Sequence, residues 1–276
     1  MTIVVIGARG NVGRQVLNGL IEAGHPVRAT SRTGAGLDAG VPSVPADLDR
    51  PETLGRALEG ATGVFLYAHP AGAEGFVAAA RAAGVRKVAL LSSGAVGRPG
   101  SEDSPIARRH QVVEEALEKS GLEWTFIRGG MFATNALGLW APAIRRDGRV
   151  ALPYPEAQTA PVHEADLAAL AVAALTTDGH AGRAYPLWGP ESLTQREQIA
   201  RIAAAAGRPI VVEEVGADRA RAEMGRTMPA PVVDAMLGIW AAADRPAETS
   251  TLVPDLLGRP ARTFADWAAE HAGAFR

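Results

Sequence analysis

The chain has 276 residues, a formal charge of −2 and no cysteine, which removes disulfide scaffolds, thiol catalysis and cysteine-ligated zinc. The near-neutral balance argues against a general nucleic-acid binder, and no apolar run reaches the ~18 residues of a membrane span. Residues 2–6 are too short, and lack a preceding basic stretch, for a signal peptide, so the expectation is a cytoplasmic protein of one large domain or one and a half.

Short apolar runs at 3–6, 27–30, 41–45, 64–67, 88–91 and 124–127 alternate with alanine-rich helical stretches at 12–23, 51–58, 72–83 and 105–120. Strands that are apolar along their whole length belong to a parallel sheet covered on both faces. Their alternation with helices predicts a doubly wound α/β fold, and six such strands suit the two halves of a Rossmann sheet. After Arg128 the rhythm changes. Helical stretches at 133–145, 164–175, 194–206, 231–242 and 263–272 dominate, with short strands at 184–188 and 210–215 and a loop at 243–254. Residues 1–150 read as the nucleotide-binding domain, its sheet completed by later segments. Residues 151–276 read as a smaller, mostly helical substrate lobe over the carboxyl ends of the strands.

The strongest motif is Gly7-Ala8-Arg9-Gly10-Asn11-Val12-Gly13, which follows a strand and opens a helix. Gly7 permits the tight turn, Gly10 lets backbone approach a pyrophosphate, and Gly13 lets the helix pack on the strand. The N–H groups of Asn11 and Val12 then face an anion at a helix N-terminus. The second strand ends in Ser31-Arg32 with no acid between residues 27 and 37. An acid there would hold the ribose of NAD, whereas arginine accommodates a 2′-phosphate. Arg32, with Ser31 and Arg9, therefore predicts NADP(H). Only two of the 28 basic residues are lysines (Lys87 and Lys119), so a single arginine carries less weight than usual and could be a solvated surface residue. Asp47-Leu48 after the third strand falls beside the adenine, or Asp47 is simply a helix N-terminal acid ahead of Pro51. Ala68-His69 closes the fourth strand at the switch point; His69 either touches ribose or pyrophosphate or is a plain loop residue.

These segments, with residues 46–54 (ADLDRPETL), 64–70 (VFLYAHP), 90–96 (LLSSGAV) and 120–135 (SGLEWTFIRGGMFATN), stand in order and resemble the NmrA-like branch of the atypical short-chain dehydrogenase/reductases. That branch includes NAD(P)H:quinone oxidoreductase-like proteins. The resemblance is looser beyond residue 135. It implies a Rossmann fold that binds NADP(H), but members include reductases, redox sensors and biosynthetic enzymes, so it fixes no activity.

Most such relatives reduce carbonyls with a Tyr-x-x-x-Lys pair that passes a proton while a serine orients the carbonyl. Four residues after Tyr67, Tyr154 and Tyr185 stand Ala71, Gln158 and Gly189, so the pair does not occur in this chain. The resemblance supplies a substitute by spacing. Glu114, Gly121 and Arg128 match a spacing in extended relatives whose lysine precedes the glutamate by four and whose tyrosine precedes the lysine by four. Those positions hold His110 and Ile106; a one-turn shift would instead put His110 at the tyrosine. His110 is the catalytic candidate, its ordinary pKa near 6.5 suiting proton transfer, with Glu114 at i+4 to orient the ring. Alternatively His110 contacts the cofactor ribose or is a surface residue beside Arg108 and Arg109. Ser92 and Ser93 end the fifth strand where the family's active-site serine or threonine sits; Ser93 is assigned to the reacting oxygen and Ser92 to the cofactor. Gly129, Gly130, Met131 and Phe132 correspond to the segment that passes the nicotinamide, with Gly130 on the cofactor side.

Met131, Phe132, Trp140, Tyr154 and Trp188 lie in segments expected at the cleft mouth. Together they suggest a bulky, largely apolar small-molecule substrate. His163 and Asp166 are one helical turn apart but lack a third ligand, so no metal site is expected, and without a G-x-S-x-G elbow no serine hydrolase is expected. Three readings follow. The first is an NADPH-dependent reductase of a quinone, aromatic ketone or polyketide-like molecule. The second is a sensor that binds NADP(H) without turnover, and the third is a non-redox cyclase or isomerase. A homodimer is possible in each.

Overall fold

The computed structural model describes residues 2–34, 40–101 and 104–276. Among the described residues its first half alternates except that β3 follows β2: β1 (Thr2–Val5), α1 (Asn11–Glu22), β2 (Val27–Ser31), β3 (Ser43–Pro45), α2 (Leu54–Leu58), β4 (Ala61–Tyr67), α3 (Ala73–Ala82), β5 (Lys87–Ser93), α4 (Pro105–Glu118) and β6 (Glu123–Gly129). The second half contains α5 (Asn135–Leu139), α6 (Ala141–Asp147), β7 (Arg149–Leu152), β8 (Gln158–Thr159), α7 (Glu164–Thr176), β9 (Arg183–Leu187) and β10 (Leu193–Thr194). It ends with α8 (Gln195–Ala206), β11 (Val211–Glu214), α9 (Ala217–Met224), α10 (Ala230–Ala241), α11 (Leu252–Leu257) and α12 (Phe264–Glu270).

One sheet runs β3-β2-β1-β4-β5-β6-β9, with every neighbouring pair parallel. This is the doubly wound Rossmann order extended by a seventh strand. Side chains alternate across each strand, and both faces are dry. Ile3 and Val5 meet Val16, Leu17 and Leu20 of α1 and Leu167 and Leu170 of α7. Val4 and Ile6 face the opposite layer with Leu54, Phe76 and Leu117. Helix α7 is apolar nearly all round because it lies in this packed layer beside α1, with Val253 of α11 in the same core.

Beyond β6, helices α5, α6, α8 and α12 enclose a separate core that includes Trp140, Ile144, Ile202 and Trp267. Helices α9 and α10 gather a further cluster around Val233, Leu237 and Trp240. Small strand pairs, β7 with β11 and β8 with β10, tie these pieces together. The expected single helix over 133–145 is two helices, because Pro142 cannot continue the first and instead starts the second. The expected loop at 243–254 contains the start of α11. No helix among the described residues is long and apolar enough to cross a membrane.

The motif His163-x-x-Asp166 forms the start of α7. His163 Nδ1 accepts the Ala165 N–H at 3.1 Å as the N-cap. Asp166 Oδ1 pairs with Arg259 at 2.7 Å and Oδ2 accepts the Arg262 N–H at 2.8 Å. Glu164 pairs with His271 at 3.2 Å and His163 Nε2 lies 3.4 Å from Glu270. These contacts pin the C-terminal segment to the start of α7. Burial holds the His163 imidazole below its ordinary pKa, against the pull of Glu164, Glu270 and Asp166. The unfolded chain therefore takes up this proton first, and the associated stability is present above about pH 6.5 and lost on acidification below it. His163→Asn, which keeps a capping acceptor, should flatten that part of the Tm-against-pH curve; an unchanged acid limb would refute the assignment.

Candidate functional site

The glycine loop leaves β1 for α1 through Gly7 at φ +75°, a left-handed conformation that favours glycine. A Cβ on Gly7 would lie 2.8 Å from the Tyr67 ring, and one on Gly13 would lie 2.3 Å from the Gly7 carbonyl oxygen. Gly10 is the N-cap of α1; it offers no side-chain cap, and the first turn carries no acid. The free N–H groups of Asn11 and Val12 and the positive helix end are thus left for an anion. The cradle fits a dinucleotide pyrophosphate. Arg9, Gly10 and Asn11 are exposed, whereas the side chain of Val12 is buried.

Ser31 is buried at the end of β2, and Arg32 is exposed just beyond it. Arg32 acts electrostatically on the Tyr67 hydroxyl, which burial and the nearby Asp47 hold above its ordinary pKa. Asp47 uses one carboxylate oxygen to accept the Asp49 N–H at 3.1 Å, closing a turn on itself. The Leu48 side chain packs in the sheet core at 3% exposure, which leaves its backbone as the part that a ligand could meet. Ala68 is buried, and His69 Nε2 meets Asp49 Oδ1 at 2.6 Å. Tyr67, edge-on to His69 and lying over Gly7, was not singled out in the sequence. Its signal was its place at the carboxyl end of the fourth strand.

The expected catalytic group divides into separate arrangements. Glu114 is 2% exposed and receives three hydrogen bonds: Ser92 Oγ at 2.5 Å, Arg128 Nε at 3.0 Å and Arg128 Nη2 at 2.6 Å. It braces α4 against the ends of β5 and β6 and does not orient His110. The imidazole is held instead by its own helix, Nδ1–H donating to the Ile106 carbonyl at 2.8 Å. Among the described residues Nε2 has no hydrogen-bond partner. Burial lowers the His110 pKa and Arg109 lowers it further, while the Ile106 bond and Glu114 act in the opposite direction. A neutral ring with Nδ1 protonated presents a lone pair at Nε2, which makes His110 an acceptor. The Ser92 hydroxyl is engaged as a hydrogen-bond donor to Glu114. Ser93 Oγ accepts the Ala95 N–H at 3.2 Å and keeps its own O–H to donate.

The aromatic set also divides. Met131, Phe132 and Trp140 line one crevice together with Gln195, Gln198 and Trp240. Trp188, following β9, lies against the carboxyl ends of β5 and β6, its ring 3.4 Å from a Cβ on Gly94 and 2.9 Å from one on Gly130. Tyr154 is exposed on a loop and does not line the crevice. Gln195 and Trp240 were not foreseen, because a helix-start glutamine and a helix-face tryptophan carry no local mark of the distant residues they meet.

Breaking the buried pair should destabilise the protein. Glu114→Ala strands the Arg128 guanidinium and should cost about 3 kcal/mol in denaturant unfolding. A loss below about 0.5 kcal/mol would contradict the bracing role.

The sequence model of the NAD(P)H-binding family matches residues 7–178. The chain is 44% identical to the (4-alkanoyl-5-oxo-2,5-dihydrofuran-3-yl)methyl phosphate reductase of Streptomyces griseus, over 99% of both chains. It is 37% identical to the NAD(P)H azoreductase of Xenophilus azovorans, also over 99% of both. The fold is similar to that of the NADPH-dependent quinone oxidoreductase of Escherichia coli in complex with NADPH, with a TM-score of 0.80 and 24% identity over 98% of this chain and 99% of that one. The chain is a member of the NAD(P)H-binding family, an NAD(P)H-dependent oxidoreductase of the NmrA-like, atypical short-chain dehydrogenase/reductase kind.

Proposed function

We propose that the protein is an NADPH-dependent reductase of a largely apolar conjugated electrophile, the chemical class of quinones, azo compounds and alkenes activated by two carbonyls. The observation that carries this reading is the condition of the proton-bearing groups. Ile106 and Ala71 stand where a tyrosine or lysine would be needed for the usual pairs. Ser92 donates to Glu114, and the one N–H of a neutral His110 is given to Ile106. Among the described residues the cleft therefore offers hydrogen bonds but no side chain tuned to give up a proton, since burial holds the Tyr67 hydroxyl above its ordinary pKa.

Bound NADPH supplies a hydride. The open N-terminus of α1 and the glycine loop hold its pyrophosphate, while Arg32, Ser31 and Arg9 favour the 2′-phosphate. His110 accepts a ribose hydroxyl through Nε2, and Ser93 donates to a substrate oxygen. A reduced conjugated acceptor carries its new electron pair on a remote oxygen or nitrogen, which takes its proton from water. A reduced isolated ketone is an alkoxide and calls for a proton donor in contact. The names of both sequence relatives support the conjugated character of this class, although the substrate in the first name also carries a phosphate ester. An azo bond is a conjugated acceptor, and so is a dihydrofuranone double bond with the lactone and alkanoyl carbonyls on one of its carbons.

The test is NADPH oxidation with 1,4-naphthoquinone, an azo dye, a 2-acyl butenolide and cyclohexanone. At least one conjugated compound should turn over while cyclohexanone reacts at least about 100-fold more slowly, the scale of a missing general acid. Comparable rates with cyclohexanone would overturn the reading. Arg32→Glu should weaken NADPH binding by about tenfold or more relative to NADH, read as the ratio of Kd values. An unchanged ratio would remove Arg32 from the 2′-phosphate site.

A further inference from the structure

The crevice beside Met131 and Phe132 contains polar chemistry that hydride transfer does not use. The space it leaves is about 10 Å³, room for a single water-sized group such as one hydroxyl. Two of its lining residues each carry a buried polar atom with no hydrogen-bond partner among the described residues: Oε1 of Gln195, a residue 1% exposed, and Nε1 of Trp240, a residue 4% exposed. The two do not bond each other, and their senses are complementary. The amide oxygen only accepts and the indole N–H only donates.

The amide orientation is set from its other end. Gln195 Nε2 donates to the carbonyls of Pro153 at 2.9 Å and Tyr154 at 3.0 Å. A flipped amide would bring its oxygen against two carbonyl oxygens, so Oε1 is the end left over. The segment that receives these bonds is strained, because Tyr154 has φ +52°, a conformation that bulky side chains rarely adopt. Such strain persists where surrounding structure holds it, and it concentrates at functional sites. Trp240 arrives on α10, an element distant in sequence from α8, and packs in the small core it shares with α9. Two remote elements thus bring an orphan acceptor and an orphan donor to one apolar crevice, an arrangement that costs free energy until a ligand completes it.

A hydroxyl has both of the senses that these groups lack. A hydroxyl oxygen donates to Gln195 and accepts from Trp240. A carbonyl satisfies only Trp240, an ammonium only Gln195, and a carboxylate would face the Gln195 oxygen with like charge. We propose that Gln195 and Trp240 form a hydroxyl-recognising subsite at the lobe end of the substrate cleft, so that the electrophile reduced here bears a hydroxyl remote from its reacting atoms. The inference rests on the reductase reading above and adds the recognition element. The apolar body of the substrate lies against Met131 and Phe132, and its hydroxyl reaches past them.

The experiment compares 1,4-naphthoquinone with 6-hydroxy-1,4-naphthoquinone. Each is titrated calorimetrically into wild type and Trp240→Phe with NADP+ present, so that no turnover occurs, and each is then tested for NADPH oxidation. Wild type should bind the hydroxylated probe at least about tenfold more tightly, and Trp240→Phe should bring the ratio to within about twofold. Equal affinities in wild type, binding of neither probe, or a ratio untouched in Trp240→Phe would each overturn the subsite; equal affinities would assign the two groups to a trapped water. Oxidation of NADPH with equal KM for both quinones overturns the subsite and leaves the reductase reading standing. Trp240-dependent preference for the hydroxylated probe without any NADPH oxidation overturns the reductase reading alone.

Discussion

A carboxylate buried between a strand end and a helix must find donors or lose its charge, and Glu114 finds three. Ser92 binds it from the end of β5, and the Arg128 fork binds it from β6. The desolvation cost of the pair is offset by this bidentate geometry, and the result joins α4 to two neighbouring strands. The same guanidinium passes 3.3 Å from a Cβ position on Gly97, so the loop after β5 is shaped around it. Everything on the inner side of α4 takes its place from this joint. His110 sits one turn before Glu114, and Ser93 becomes the serine whose hydroxyl is left to donate.

The joint also decides what chemistry is available. Three tyrosines and two lysines occur in the whole chain, none paired at the four-residue spacing that proton relay needs. Burial favours the neutral His110 ring against the opposing Ile106 bond, and that bond takes the Nδ1–H so that Nε2 is left to accept. An active site so equipped orients a cofactor and a substrate well and protonates poorly. That combination suits electrophiles whose reduced form is stable before it meets a proton.

The fold was legible in sequence because parallel strands buried on both faces are apolar from end to end and the glycine spacing opens the first helix. Strand β9 was visible as an apolar run, whereas β7, β8 and β10 were too short to stand out. Pro142 divides a helix that periodicity alone runs together. The cofactor end was readable because Gly7, Gly10 and Gly13 do backbone work that only glycine does. The substrate end was not, because its groups are defined by partners. Helical spacing put Glu114 on the face of His110, but not the fact that Ser92 and Arg128 would claim it. Leu48 was assigned by position in a loop, and its side chain turned into the core. Gln195 and Trp240 carry no local signal, since their meaning lies in atoms left unbonded when α8 and α10 come together.

Hydride transfer in this site does not wait for a protein-borne proton. Its most direct test is single-turnover reduction of 1,4-naphthoquinone, with NADPH carrying protium or deuterium at the transferred position, in H2O and in D2O, from about pH 6 to 8. Hydride transfer of this kind gives a primary isotope effect from the deuterated cofactor, no solvent isotope effect, and a rate constant that does not change with pH. A solvent isotope effect on the same step, with a pH limb that disappears in His110→Asn, would contradict it and restore His110 as the proton donor.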